Sequence, residues 1–370
     1  MIIKGWEYLH EYENEKAEII SAFEEVLSSG CLILGDRVKK FEADYAKYCE
    51  VKFGVGVDNG TNAIFLALKA LGIGENDEVI TVSNTAVATV SAIVSAGAKP
   101  VFVDIDESSF LMDTIKIEGA INPKTKCILP VHLFGQCVDM DEINRIAKQH
   151  NLKVLEDCAQ SHGAIYKNHK AGSLSDLAAT SFYPTKILGI YGDGGMILTK
   201  NVELYRRLLR LRFYGLDESS DAIEHGYSCR LDEIHAAILL KKLNHIHDYI
   251  FRRRILAAQY NEQLKDTTLI LPSELPYGKH SYYLYVVRHP SRDIILEELK
   301  KKNIFLNIHY PCPIHLMDGY KYLNYKKNDF PITEKISKEL FSLPLYPSLT
   351  NEKQQYISDV IHETLKKHHL

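Results

Sequence analysis

The chain has 370 residues, a net charge of −4, 25% charged and 46% hydrophobic residues. That length buries a large core and exceeds one ordinary domain, so a larger unit over 1–245 and a smaller one over 246–370 are expected, the N-terminal segment being free to pack with the smaller. The charge balance leaves no basic footprint for nucleic acid, and the longest apolar runs are far too short to span a bilayer.

At the start, Met1-Ile2-Ile3-Lys4 leads into charged and polar residues rather than an apolar stretch. No signal peptide is expected, and seven widely scattered cysteines fit reduced thiols, so the expected location is cytoplasmic. Further on, Phe53–Val57 reads as a strand, Asp58-Asn59-Gly60 as a turn and Thr61–Leu68 as a helix with apolar residues at helical spacing. The amides of Gly60, Thr61 and Asn62 would then be free donors at a helix N-terminus, which suits an anion such as phosphate. Many strand-turn-helix junctions hold no ligand, and neither a Walker loop nor a dinucleotide fingerprint is present.

Strands are expected at Glu78–Val82, Pro100–Val103, Cys127–Val131 and Gly195–Thr199, with helical faces from Thr89 to Ala96 and from Met140 to Lys148. Such alternation predicts an α/β fold, a mostly parallel sheet with helices on both faces. The short apolar strand Leu152–Leu155 stops at Glu156-Asp157-Cys158-Ala159-Gln160. Ligands of open parallel sheets collect at the carboxyl ends of strands, which makes Asp157 and Gln160 site candidates, although an aspartate there also serves as an ordinary turn or cap.

Lys186 lies among Phe182, Tyr183, Pro184, Ile187 and Leu188, followed by the glycine-rich Gly189 to Gly195, with no charged residue closer than Asp176 and Asp193. Desolvation there favours a neutral, nucleophilic amine; the plainer alternative is a stem along apolar surface with its head in water. Asp157 and Lys186 together carry a more specific meaning. Pyridoxal phosphate needs a lysine for its Schiff base and a carboxylate that keeps the ring nitrogen protonated.

The run Leu231–Leu264 has helical apolar spacing, expected to link the two units through plain core packing. A strand at Ser281–Val287 and a helix at Asp293–Lys302 suggest that the smaller unit is α+β. His309, Cys312 and His315 are three residues apart, but two prolines stiffen the loop and no further pair completes a tetrahedral set, so no metal is expected.

These segments resemble the sugar-nucleotide aminotransferases of the DegT/StrS group, pyridoxal-phosphate enzymes of fold type I. The resemblance extends over nearly the whole chain. It includes Ser29-Gly30 through Leu34-Gly35, Phe41-Glu42, Asn84-Thr85 with Ala88-Thr89, Pro100 to Asp104, Pro130 to Gln136, Arg230 to Glu233, His309-Tyr310-Pro311, Pro313 to His315 and Leu343-Pro344. It implies a Schiff base at Lys186, Asp157 on the pyridine nitrogen and Gln160 near the ring hydroxyl. Gly60, Thr61 and Ser181 would hold the phosphate, with Thr85 and Ala86 beside the ring.

The resemblance further implies a homodimer with composite sites, in which Ser228 reaches the cofactor phosphate of the other subunit. The donor would be L-glutamate and the acceptor a nucleotide-linked keto-deoxysugar, usually carried on dTDP. Tyr183, Tyr214, His309 and Tyr310 are candidate sugar contacts, with ordinary core or surface aromatics as the alternative. The form of the lysine segment is similar to that of enzymes aminating C-3; C-4 enzymes more often carry histidine where Tyr183 stands. Three departures stand out: Ala86 where an aromatic residue often covers the ring, Ser228 where asparagine is common, and Ile187 in place of the asparagine that often follows the lysine. Two rivals keep the fold. A dehydratase would have histidine at 186, and a non-catalytic binding or regulatory protein would have little need for Asp157, Gln160, Ser181 and Lys186 together.

Overall fold

A computed structural model of the chain describes residues 2–370. Its centre is a sheet of seven strands, β1 (Phe53–Val57), β2 (Glu78–Val82), β3 (Lys99–Val103), β4 (Thr125–Ile128), β5 (Lys153–Asp157), β6 (Leu177–Ser181) and β7 (Gly195–Thr199). Their order across the sheet is β1-β7-β6-β5-β4-β2-β3. All pairs are parallel except the two made by β7, which is antiparallel to both neighbours. Residues of β2, β6 and β7 are buried along their whole length, as expected where helices cover both faces.

The reversed direction of β7 decides where the sheet gathers its ends. Its first residue, Gly195, pairs with Val57, the last of β1, and with Ser181, the last of β6. Asp157, the last of β5, pairs with Ala179 in β6. The carboxyl ends of three strands therefore meet along one edge.

Two expectations are corrected. The run Leu231–Leu264 is two helices, Glu233–Leu243 and Ile246–Leu264, separated at Asn244 and His245, both of whose amides bond back to carbonyls of the last turn. Of Ser281–Val287 only the last three residues are in a strand, β8 (Tyr285–Arg288), which pairs antiparallel with β9 (Leu340–Leu343). The amides of Ser281 and Leu284 are drawn away to the carbonyls of Gly135 and Phe134.

Apolar side chains form one large core around the seven-stranded sheet, a second around Leu256, Tyr260, Tyr285, Leu299, Phe341 and Ile361, and a small third one in which Val90 and Phe102 meet Ile314, Leu323 and Phe330. Ile3 belongs to the second core, because Ile3–Lys4 runs parallel to Ile304–Phe305. The helix Leu9–Ser29 then crosses to the first core, burying Ile19, Ala22 and Val26. Its adjacent face leaves Ile20, Phe23 and Leu27 exposed. Among the described residues no helix is long and apolar enough to cross a membrane.

Candidate active site

The meeting strand ends enclose a cavity of about 200 Å³. Gly60, Thr61, Thr85, Ala86, Asp157, Gln160, Ser181, Tyr183 and Lys186 all line it, so nine residues singled out in the sequence come together.

The helix Gly60–Ala70 points its N-terminus into this space. Asn59 caps it, its side chain accepting the Asn62 amide at 2.8 Å. Asn62 is therefore not a third free donor, which corrects the expectation; the amides of Gly60 and Thr61 remain at the helix end. Glycine is required at 60, since a Cβ there would lie 2.6 Å from the Ser181 Cβ and 3.1 Å from its Oγ. Helix end and strand end thus form one cradle for an anion.

Asp157 is buried. Its Oδ2 accepts from Thr89 Oγ1 at 2.8 Å and its Oδ1 from the Ala159 amide at 3.0 Å. Thr89 Oγ1 is in turn 2.9 Å from Thr85 Oγ1. Burial pushes the Asp157 carboxyl above its ordinary pKa, opposed by the Ala159 amide, the Thr89 hydroxyl and the Lys186 charge. A carboxylate so placed gains from a cationic partner within the cavity.

Behind Asp157, Glu156 is fully buried and receives five donors: His132 Nε2, the amides of Gly172 and Leu174, the Ser175 hydroxyl and, at 3.8 Å, the Cys158 thiol. Burial opposes its ionisation, yet these bonds and the His132 ring hold its carboxyl below the ordinary range. His132 Nδ1 accepts the Val138 amide at 3.2 Å. With its donors and acceptors matched, this cluster works as a fixed support for the end of β5.

Lys186 is half-buried and donates to Tyr283 Oη at 3.4 Å, its Nζ standing 4.5 Å from that ring's centre. Gln160 is held from two sides: its Oε1 accepts the Phe134 amide at 2.9 Å and its Nε2 donates to Tyr310 Oη at 2.9 Å. His309 packs edge-on against Tyr310 and its Nδ1 is 2.8 Å from Ser342 Oγ. Burial and then the Lys186 charge lower the His309 pKa to about 4, so the ring is neutral near pH 7.

Other candidates lie elsewhere. Ser228 and Tyr214 are exposed on a surface segment, where the Tyr214 hydroxyl is 3.2 Å from Ser228 Oγ, and neither lines the cavity. A backbone bridge between Phe213 and Ser228 holds that segment in place. His315 turns to Ser83 and Glu334, His309 to Ser342, and Cys312 to the Pro313 carbonyl. Sequence reasoning missed the contribution of Thr89 to Asp157 and of Tyr283 to Lys186; each acts across more than sixty residues of chain, where no motif could signal it.

Residues 13–362 match the DegT/DnrJ/EryC1/StrS aminotransferase family. The chain belongs to that family. It is 48% identical to the dTDP-3-amino-3,4,6-trideoxy-alpha-D-glucose transaminase of Micromonospora megalomicea subsp. nigra, over 97% of this chain and 98% of that one. It is 44% identical to the dTDP-3-amino-3,6-dideoxy-alpha-D-galactopyranose transaminase of Aneurinibacillus thermoaerophilus, over 93% and 94% respectively. Its fold overlays the crystal structure of S. venezuelae DesV in complex with a ketimine intermediate with a TM-score of 0.96, at 38% identity and covering 98% of both chains. Fold type I, with its mostly parallel sheet, is thereby shown, as expected from the sequence.

Proposed function

We propose that this chain uses pyridoxal phosphate to move the amino group of L-glutamate to C-3 of a dTDP-linked 3-keto-6-deoxyhexose. The carrying observation is that Lys186, the buried Asp157 and the helix-end amides of Gly60 and Thr61 line one cavity. The residues fit the cofactor: a cradle that a Cβ at 60 would fill, a buried carboxylate without a cationic partner of its own, and an amine on the wall. Family membership and the two 3-amino-sugar transaminase relatives support the substrate class.

In this reading the Gly60 and Thr61 amides and the Ser181 hydroxyl hold the phosphate, and Asp157 holds positive charge on the ring nitrogen. Thr89 and the Ala159 amide orient that carboxylate. Gln160, fixed by Phe134 and Tyr310, faces the ring hydroxyl. Bound pyridoxal phosphate supplies an aldehyde for amine exchange and a protonated ring that accepts electrons. Lys186 Nζ takes the proton from the donor α-carbon in one half-reaction and delivers a proton to the sugar C-3 in the other. Tyr183, His309 and Tyr310 are assigned to the sugar.

We also assign a homodimer and a division into a large lobe, 1–245, and a small lobe, 246–370, supported by the second core, whose buried members apart from Ile3 all belong to 246–370. The dimer draws support from the exposed Ile20, Phe23 and Leu27 and from Ser228, which lies outside its own chain's cavity, beside an Arg230 Nη2 at 3.2 Å. Sedimentation of the active enzyme as a monomer would refute it.

The deciding experiment incubates enzyme and L-glutamate separately with dTDP-3-keto- and dTDP-4-keto-6-deoxyhexose and locates the new amine by NMR. A 3-amino sugar is expected. Only 4-amino product would refute the C-3 assignment, and no amine from either sugar would refute the sugar class.

A further inference from the structure

Tyr283 crosses from the second core to the first. Its neighbour Tyr282 is buried in the second core, while Tyr283, 7% exposed, is buried in the first. The chain makes that change through Tyr282 itself, whose φ of 51° lies in the left-handed region, costly for a residue with a side chain and concentrated at functional positions.

Backbone contacts fix Tyr283 in this place. The amides of Ser281 and Leu284 bond to the carbonyls of Gly135 and Phe134, and Arg253 Nη1 donates to the Tyr283 carbonyl at 3.1 Å. Glycine at 135 permits the close approach, since a Cβ there would lie 2.9 Å from the Tyr283 nitrogen. The Phe134 amide meanwhile holds Gln160. One turn thus places both Gln160 and Tyr283.

At the far end of the side chain, Lys186 Nζ donates to Tyr283 Oη at 3.4 Å, long for a hydrogen bond, and stands 4.5 Å from the ring centre, within reach of cation–π attraction. Among the described residues Lys186 Nζ has no other hydrogen-bond partner. With Oη accepting from the amine, its own proton is left for Thr185 Oγ1, 3.1 Å away. Thr185 precedes Lys186 in the chain, so the hydroxyl is tied to the backbone that carries the lysine.

We propose that Tyr283 is the positioning residue for Lys186 in its unbonded state, its hydroxyl and ring face holding the amine at the cavity wall while it carries a proton. The proposal rests on the role given to Lys186. A lysine head rides on a flexible stem, and once another amine has taken its place on the cofactor nothing covalent keeps it near the reacting carbon. Proton transfer requires it within hydrogen-bond reach. Ring and hydroxyl both favour the charged amine over the neutral one, so they act most strongly when Nζ holds the proton. Tyr283 itself forms and breaks no covalent bond.

Tyr283→Phe keeps the ring and removes the hydroxyl; Thr185→Val removes the group that aims it. In Tyr283→Phe kcat is expected to fall by about tenfold or more, because the amine is no longer held in line. The KM values for L-glutamate and the keto sugar and the Tm should stay at those of the parent, and the isotope effect from α-deuterated glutamate should rise as proton transfer becomes limiting. Thr185→Val should lose kcat in the same direction and Thr185→Ser should restore it. A second measurement uses the cofactor-free protein. Without its acceptor the Lys186 amine is freer to react, and its modification by trinitrobenzenesulfonate, located by peptide mass spectrometry, should quicken by about threefold or more in Tyr283→Phe, the scale of one hydrogen bond. Should Tyr283→Phe fail to fold, Thr185→Val decides by the same two measurements. A kcat within twofold of the parent, an unchanged rate of Lys186 modification, or a kcat loss matched by a loss of Tm overturns the proposal. If Lys186→Ala itself turns over like the parent, the role given to Lys186 fails instead.

Discussion

Replacing Thr89 with valine tests the support beneath Asp157. Thr89 is 1% exposed and gives its hydroxyl proton to Asp157 Oδ2 at 2.8 Å, with Thr85 Oγ1 2.9 Å behind it. Valine keeps the shape and removes the donor, leaving the Ala159 amide as the one remaining bond to that carboxylate. A hydrogen bond to a charged group contributes about 1.5–3 kcal/mol. That corresponds to roughly 10- to 150-fold in an equilibrium constant. The direction is set by Asp157: burial already raises its pKa, Thr89 is among the groups opposing this, and without it the neutral acid gains ground. A neutral Asp157 no longer holds charge on the ring nitrogen, so both cofactor affinity and kcat should fall. Cofactor release on dilution, followed by absorbance, and steady-state kinetics measure the two effects, while Thr89→Ser keeps the hydroxyl and should restore most of both. If Thr89→Val leaves cofactor affinity and kcat within twofold of the parent, the reasoning is wrong.

Lys186→Ala should abolish turnover while leaving the fold intact; activity within tenfold of the parent refutes the role given to Lys186. Gly60→Ala forces a methyl against Ser181, 2.6 Å from its Cβ, so the helix end must shift. An overpacking cost of about 1–3 kcal/mol should then lower Tm and loosen the phosphate cradle; unchanged Tm and cofactor retention count against a tight fit. Acid sensitivity should begin above the carboxylate range. Burial lowers His162 and His280 to about 3 and His309 to about 4, from an ordinary 6.5. Above pH 6.5 both folded and unfolded chains hold these rings neutral and stability is complete; as pH falls toward 4 only the unfolded chain takes up protons. Each histidine then removes up to about 1.4 kcal/mol per pH unit, and denaturant titrations giving one midpoint from pH 6.5 to 5 would contradict this.

What was legible in the sequence was chemistry set within a few consecutive residues. The strand, turn and helix around Asp58-Asn59-Gly60 could be read from consecutive residues, and so could the apolar run that leads to Asp157, although the strand continues past Leu155 through Asp157 itself. Lys186 stood out for its uncharged neighbours. Less legible was anything decided by burial from both sides: β6 is Leu-Ala-Ala-Thr-Ser, whose alanines favour a strand only because all five residues are covered by packed neighbours. The antiparallel placement of β7 was also silent, though it is what brings Ser181 and Val57 together.

The same division separates reacting groups from the groups that hold them. Thr89 meets Asp157 across 68 residues and Tyr283 meets Lys186 across 97. None carries a local signature, because each is brought into place by the docking of one element on another. Substitutions at these positions should therefore alter turnover and cofactor retention while leaving every recognisable motif intact. Chains sharing Asp157 and Lys186 can then differ in what they accept, with the difference lying in long-range contacts that a motif does not record.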